Sequence, residues 1–159
     1  MKKRFRSDSG FTLVELAVVL VLIGLAAALV LPLGLQRAAN SAALETEAQK
    51  LSGTIRLARQ KSIAQSVPGS VYGVRFEDTI NASFYRLFAA NTGSGGTIWA
   101  GKKQDLDKHV IMDTVSHLEI TFNNIGVTGD TGTVRFKEKG GSNRTITLEV
   151  NSLGTVDIR

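Results

Sequence analysis

The chain has 159 residues, room for one globular domain with an appendage. It contains no cysteine, which excludes disulfide staples, thiolate metal sites and cysteine nucleophiles together. Its net charge of +5 is uneven: Lys2, Lys3, Arg4 and Arg6 all precede residue 10, and beyond it 15 basic residues face 13 acidic ones. The basic balance is therefore a topology signal before it is a nucleic-acid signal.

Residues 7–32 read SDSGFTLVELAVVLVLIGLAAALVLP, and no charge occurs from Leu16 to Leu35. At ~1.5 Å per residue those twenty positions span ~30 Å, one hydrocarbon core. Gly24 and Pro32 are tolerable in such a helix, and the basic leader is expected to stay cytoplasmic with the C-terminal domain on the far side. About 124 residues follow, enough to bury a real core. One reading of the run is a secretory signal cut at Ala26-Ala27-Ala28, but Glu15 interrupts it and apolar residues continue past the cut. A second is a plain signal anchor with Glu15 at the interface; KRFR is no twin-arginine pair.

The third reading explains Glu15. A carboxylate in a membrane helix costs ~2.5–3.5 kcal/mol at the centre, less near the interface, and calls for a partner. No Lys, Arg or His lies in the span. A cut after Gly10 gives Phe11 an α-amine four residues from Glu15, able to meet that carboxylate in its own chain or in a neighbour. Pairing with a neighbour turns an insertion cost into an assembly rule.

The stretch from Gly10, Phe11, Thr12, Leu13 and Glu15 through the apolar run to Pro32 resembles the class III signal of type IV pilins and type II secretion pseudopilins. That resemblance implies cleavage after Gly10 by a prepilin peptidase and N-methylation of Phe11. It makes Glu15 the assembly carboxylate, Leu13–Leu31 the subunit-packing helix and Pro32 the helix kink.

Further along, Leu44, Ala48, Leu51, Ile55 and Ala58 form one helical stripe. The spacing predicts a helix over Gln36–Gln65, continuing the apolar segment, packed on a sheet and ended by Val67-Pro68-Gly69. Period-two patterns follow. Strands are predicted at Tyr72–Phe76, Phe84–Phe88, Leu118–Phe122, Val134–Phe136, Ile146–Val150 and Val156–Ile158. Turn signals at Gly126–Gly132, Gly140–Asn143 and Asn151–Gly154 separate the last four, and residues 91–97 read as a flexible loop. One buried face per strand fits antiparallel sheets. The turn from Phe122 to Gly126, the paired hairpins and the closing LEVNSLGTVDIR with Gly154 resemble the H-type minor pseudopilins and the related FimT minor pilins, the GspH/FimT family. The acidic cluster that the resemblance would imply for a calcium-binding major subunit does not occur, which favours a minor one.

Other chemistry is weaker. GTIWAGKK nearly matches a phosphate loop through Gly96, Gly101 and Lys102, but Lys103 stands where Ser or Thr should bind magnesium; a surface β-loop is the simpler account. His109, Asp113 and His117, spaced by four, would share a helical face, but their surroundings read as strand and no metal is expected. No serine has a nucleophile context, so no enzyme and no cofactor are expected. The FimT resemblance raises DNA, through a basic C-terminal motif of which this chain keeps only Arg159, beside Asp157. Arg135, Lys137 and Arg144, with Lys139, are the candidate nucleic-acid patch, and a solvated sheet face is the plainer reading of them.

The expected fold is α+β: a long N-terminal transmembrane and stalk helix packed on a C-terminal antiparallel β-sandwich of two small sheets. The expected domains are a leader (1–10), a transmembrane assembly helix (11–35), its amphipathic continuation (36–66) and a periplasmic β-domain (67–159). The resemblance implies a non-catalytic minor pseudopilin near the tip of a type II secretion pseudopilus, single-pass in the bacterial inner membrane. Its partners are then prepilin peptidase, other major and minor pseudopilins and, through them, secreted proteins. A FimT-like minor pilin binding DNA for natural transformation is the alternative, and a signal-anchored β-domain unrelated to pili is the third reading.

Overall fold

In a computed structural model of the chain, the described residues are 12–64, 69–91, 96–129, 131–139 and 143–159, without the side chains at 29–34, 36 and 37. The chain divides into two compact units, Met1–Ala38 and Ala39–Arg159. Helix α1 runs from Leu13 to Ile63.

In the second unit, Leu44, Ala48, Leu51, Ile55 and Ala58 are all fully buried. Their spacing puts one stripe of α1 against the sheets. Two antiparallel sheets complete the core. The first has the order β4 (Thr97–Asp105), β3 (Phe84–Asn91), β1 (Ser70–Phe76), β6 (Glu119–Phe122). The second has the order β2 (Ile80–Ala82), β5 (Val110–Val115), β7 (Gly132–Glu138), β8 (Thr145–Val150), β9 (Val156–Ile158). The inward residues alternate along each strand: Tyr72, Val74 and Phe76 on β1, Ile120 and Phe122 on β6, Val134 and Phe136 on β7, Leu148 and Val150 on β8. With the helix stripe they form one apolar cluster, in which each large side chain contributes roughly 1.5–3 kcal/mol by leaving water. This is the expected arrangement of a helix packed on two small antiparallel sheets.

Several sequence expectations need correction. Leu118 does not share the face of Ile120 and Phe122: β6 begins at Glu119, and Leu118 lies before it, exposed. Ile158 is exposed at the end of β9, although Val156 is buried. The stretch around GTIWAGKK is not a loop but β4, paired with β3 from Thr97↔Ala90 to Asp105↔Phe84. It was hidden because none of its residues is fully buried, so it has no alternation to read. Strand β2 is too short to show a period. Residues 92–95, inside the expected loop, lie outside the described ones.

Candidate functional site

The start of α1 is built by two side chains. The Glu15 amide donates to Thr12 Oγ1 at 3.2 Å, and Glu15 Oε2 accepts from the Thr12 amide at 3.2 Å and the Thr12 hydroxyl at 3.1 Å. The Leu16 amide donates to the Thr12 carbonyl at 3.1 Å. This is a reciprocal capping box, with Thr12 as N-cap and Glu15 three residues on. The carboxylate also stands where the partial positive charge of the helix N-terminus favours an anion. The Thr-x-x-Glu spacing of such a box is present in the sequence as a local signal. The box engages only Oε2; among the described residues Oε1 has no partner.

Every side chain from Thr12 to Ala28 is exposed. The most covered of the large apolar ones, Val19, is still 43% exposed, and Leu13 reaches 84%. Leu13, Val14, Ala17, Val18, Val21 and Leu22 line a shallow apolar groove on the helix. A helix apolar on all sides requires cover, from lipid or from other helices. Among the described residues no helix is long and apolar enough to cross a membrane; the side chains at 29–34, within the run, lie outside those described. Gly10 and Phe11 lie outside the described residues, as does the side chain of Pro32, whose backbone lies within α1.

In the β-unit the features that carried the H-type resemblance come together. Gly126 and Gly154 both take positive φ, 77° and 71°, where a side chain is strained. Arg59 Nε donates to the Gly126 carbonyl at 3.0 Å, and the buried Ser62 hydroxyl donates to the Phe122 carbonyl at 2.5 Å. The last turns of α1 are thus pinned to the end of β6. Elsewhere in the core Tyr85 is buried, and loss of hydration pushes its phenol up to about 12 against a side-chain hydrogen bond with Thr54 that pulls it down. At the surface, hydrogen bonds from the Ser83 hydroxyl and amide hold Glu77 below the ordinary glutamate value.

The other candidates are dispersed. Arg135 and Lys137 point the same way from β7, but Asp113 engages Arg135 through Nε at 2.8 Å and Nη2 at 2.5 Å. A bulge in β5 between Met112 and Thr114 presents Asp113 there. Arg159 pairs with Glu149 at 3.2 Å, and Glu149 is the register partner of Asp157. Arg144 lies just before β8, exposed. The outer face of this sheet therefore mixes both signs. His109, Asp113 and His117 flank or sit on a strand, where four residues extend roughly 13 Å. Among the described residues no group of three or more His, Cys, Asp or Glu is placed to hold a metal. Gly101, Lys102 and Lys103 belong to β4, whose extended backbone offers no phosphate-cradling turn before a helix.

Residues 5–31 match the family described as the prokaryotic N-terminal methylation motif. No curated protein matches the chain. Its fold is similar to that of the type IV minor pilin FimU of Pseudomonas aeruginosa PAO1, in two crystal forms. One gives a TM-score of 0.56 at 16% identity over 73% of this chain and 92% of that one, the other 0.57 at 15% over 73% and 87%. It is also similar to the minor pseudopilin EpsH from the type 2 secretion system of Vibrio cholerae, with a TM-score of 0.55 at 12% identity over 73% of this chain and 94% of that one. With the methylation motif at the head of α1 and the minor-pilin fold in its second unit, the chain is type IV pilin-like.

Proposed function

We propose that the chain is an H-type minor pseudopilin of a type II secretion system, a structural subunit without catalytic activity. Prepilin peptidase cuts after Gly10, Phe11 becomes the methylated N-terminus, and α1 anchors the subunit in the inner membrane with its β-unit in the periplasm. The subunit then joins the pseudopilus at or near its tip, beside other major and minor pseudopilins and in reach of secreted proteins. The observation that carries this reading is the head of α1. Glu15, whose Oε1 has no partner among the described residues, caps a helix whose apolar side chains are exposed on every side as far as Ala28. Such a surface needs cover, and such a carboxylate suits a cation brought by a neighbour's N-terminus. The fold is shared with EpsH of a secretion system and with the pilus subunit FimU alike, so the secretion assignment rests on the H-type resemblance of the C-terminal sequence. The carboxylates paired with Arg135 and Arg159 weigh against the DNA-binding alternative.

Intact mass and N-terminal sequencing of the chain, produced in membranes with a prepilin peptidase, test the first step. A chain beginning at methylated Phe11 is expected; one beginning at Met1, or cut near Ala28, overturns the assembly role. Copurification with the co-expressed pseudopilins of a type II secretion system, compared with type IV pilins, tests the second. Retention by pilins alone overturns the secretion assignment.

A further inference from the structure

The outer face of the first sheet carries a row of charge that the sequence does not show, because its members are far apart in the chain. Register places Glu119 of β6 opposite Arg75 of β1, Arg75 opposite Arg86 of β3, and Arg86 opposite Lys103 of β4. Three cations thus stand directly opposed across three adjacent strands, an arrangement that destabilises a sheet unless it is compensated. The two ends are compensated. Arg75 Nε donates to Glu119 at 2.6 Å, and Lys103 Nζ lies 2.8 Å from Asp105. The middle is not: among the described residues Arg86 has no carboxylate partner.

Arg86 is nevertheless held in place. Its Nε donates to the Gly101 carbonyl at 2.9 Å, and its guanidinium lies over the Trp99 ring, 4.4 Å from the centroid. Both contacts are on β4, so the side chain leans from β3 across the outermost strand and carries its charge to the open border of the sheet. Its two Nη groups make no bond among the described residues. Phe88 lies on this same face, with the Arg75 guanidinium 5.4 Å from its ring centroid. It is buried against Gly73, where a Cβ would come 2.9 Å from its ring. Arg75, Arg86, Lys103, Phe84 and Trp99 line a groove of about 490 Å³ here. Its one carboxylate, Glu77, accepts from Ser83 and also feels the charge of Lys103, which leaves Arg86 as the cation without a carboxylate among the described residues.

Strand β4 is the last in its sheet, nine residues long, and among the described residues nothing pairs with its outer side. Its outer edge is unpaired, with a bulge at residues 100–102 that divides it into two shorter stretches. We propose that this border binds an extended acidic segment of a partner protein, which adds to β4 as a fifth strand and sets a carboxylate against Arg86 and Lys103. An added strand lies about 4.8 Å outside β4, and its alternate side chains share the face of Arg86. A planar guanidinium already ordered by Trp99 and Gly101 recognises a carboxylate at little entropic cost. A single-stranded nucleic acid fits less well, since it would need the Trp99 ring for base stacking, and Arg86 and Arg75 already lie over that ring. The inference holds for a secretion subunit and a pilus subunit alike.

The test uses the full chain in detergent micelles and a fluorescein-labelled nine-residue peptide of alternating threonine and glutamate, the length of β4. Three comparison probes are the same peptide with its threonines replaced by proline, a threonine–lysine peptide and a single-stranded oligothymidylate. Saturable anisotropy with the threonine–glutamate peptide is expected. Binding should weaken about tenfold or more in Arg86→Gln and also in Lys103→Gln. The proline and lysine peptides should not bind. Arg86→Gln gives up the Gly101 bond and the Trp99 contact while relieving a like-charge opposition, so a thermal melt of each variant checks that it is folded at the temperature of the binding assay. No saturable binding, equal binding of the proline peptide, tighter binding of the oligothymidylate, or parental affinity in both variants would overturn the proposal.

Discussion

Gly154 lies so close to Gly126 that a Cβ on it would stand 2.8 Å from the Gly126 carbonyl oxygen and 2.9 Å from the Phe122 ring. That same oxygen accepts the hydrogen bond of Arg59. Two glycines 28 positions apart in the chain therefore meet at the point where α1 is tied to both sheets. The two should not respond alike to alanine. At Gly126 the new methyl would meet the Cδ1 end of Ile63, a flexible and half-exposed side chain, at 2.6 Å. At Gly154 it would meet backbone. With left-handed strain added, Gly126→Ala should cost about 1–2 kcal/mol and Gly154→Ala about 2–4 kcal/mol. Denaturant unfolding of the two variants checks the order, and equal losses would refute it.

Ser62 offers a second probe of this junction. Its buried hydroxyl is the partner of the Phe122 carbonyl at the end of β6. Ser62→Ala leaves that carbonyl with one bond fewer in a dry place and should lower stability by about 1–3 kcal/mol. Exposed Ser83→Ala should cost well under that, with thermal melts as the readout.

Replacement of Glu15 must separate two roles. Glutamine preserves the capping geometry and removes the charge; leucine removes both. If the carboxylate reads a neighbour's N-terminus, Glu15→Gln keeps parental helicity by circular dichroism and loses about tenfold or more of the copurified partner subunit. If it only starts the helix, Glu15→Gln assembles normally and Glu15→Leu alone is impaired.

Alkaline unfolding should report Tyr85. The unfolded phenol titrates near its ordinary value of 10.0, the native one at about 12. Between those values the unfolded chain releases a proton that the native chain retains, so stability is full below pH 10 and falls as pH rises to 12. The loss should reach about 2–3 kcal/mol. Tyr85→Phe should flatten that part of the profile, which isolates it from titrating lysines.

Arg135, Lys137 and Arg144 predict little for DNA. Phosphate binding draws on several uncompensated cations on one face, and here Asp113 occupies Arg135. Double-stranded DNA should not be retained at physiological salt, and Arg135→Gln with Lys137→Gln should leave a gel-shift titration unchanged. Strong retention lost in that double variant would restore the DNA reading.

Much of the fold was legible where burial imposes a period. The stripe Leu44–Ala58 and the alternations on β1, β7 and β8 were visible because one face of each element meets the core. Strand β4 was not, since neither of its faces is buried and its extended form comes from pairing with β3. The bulge at Asp113 was equally silent, because only register reveals it. For the site, Gly10, Phe11 and Glu15 stood out as a local motif. The capping role of Glu15 was present in the spacing, while the Arg75–Arg86–Lys103 row depends on strand order and had no linear signal.

The capping box has a consequence for maturation. Thr12 and Glu15 both lie downstream of the proposed Gly10–Phe11 cut, so on that proposal the residues that specify where α1 begins are shared by precursor and mature chain. Cleavage there would change the charge in front of a helix whose first turn is specified by residues it retains.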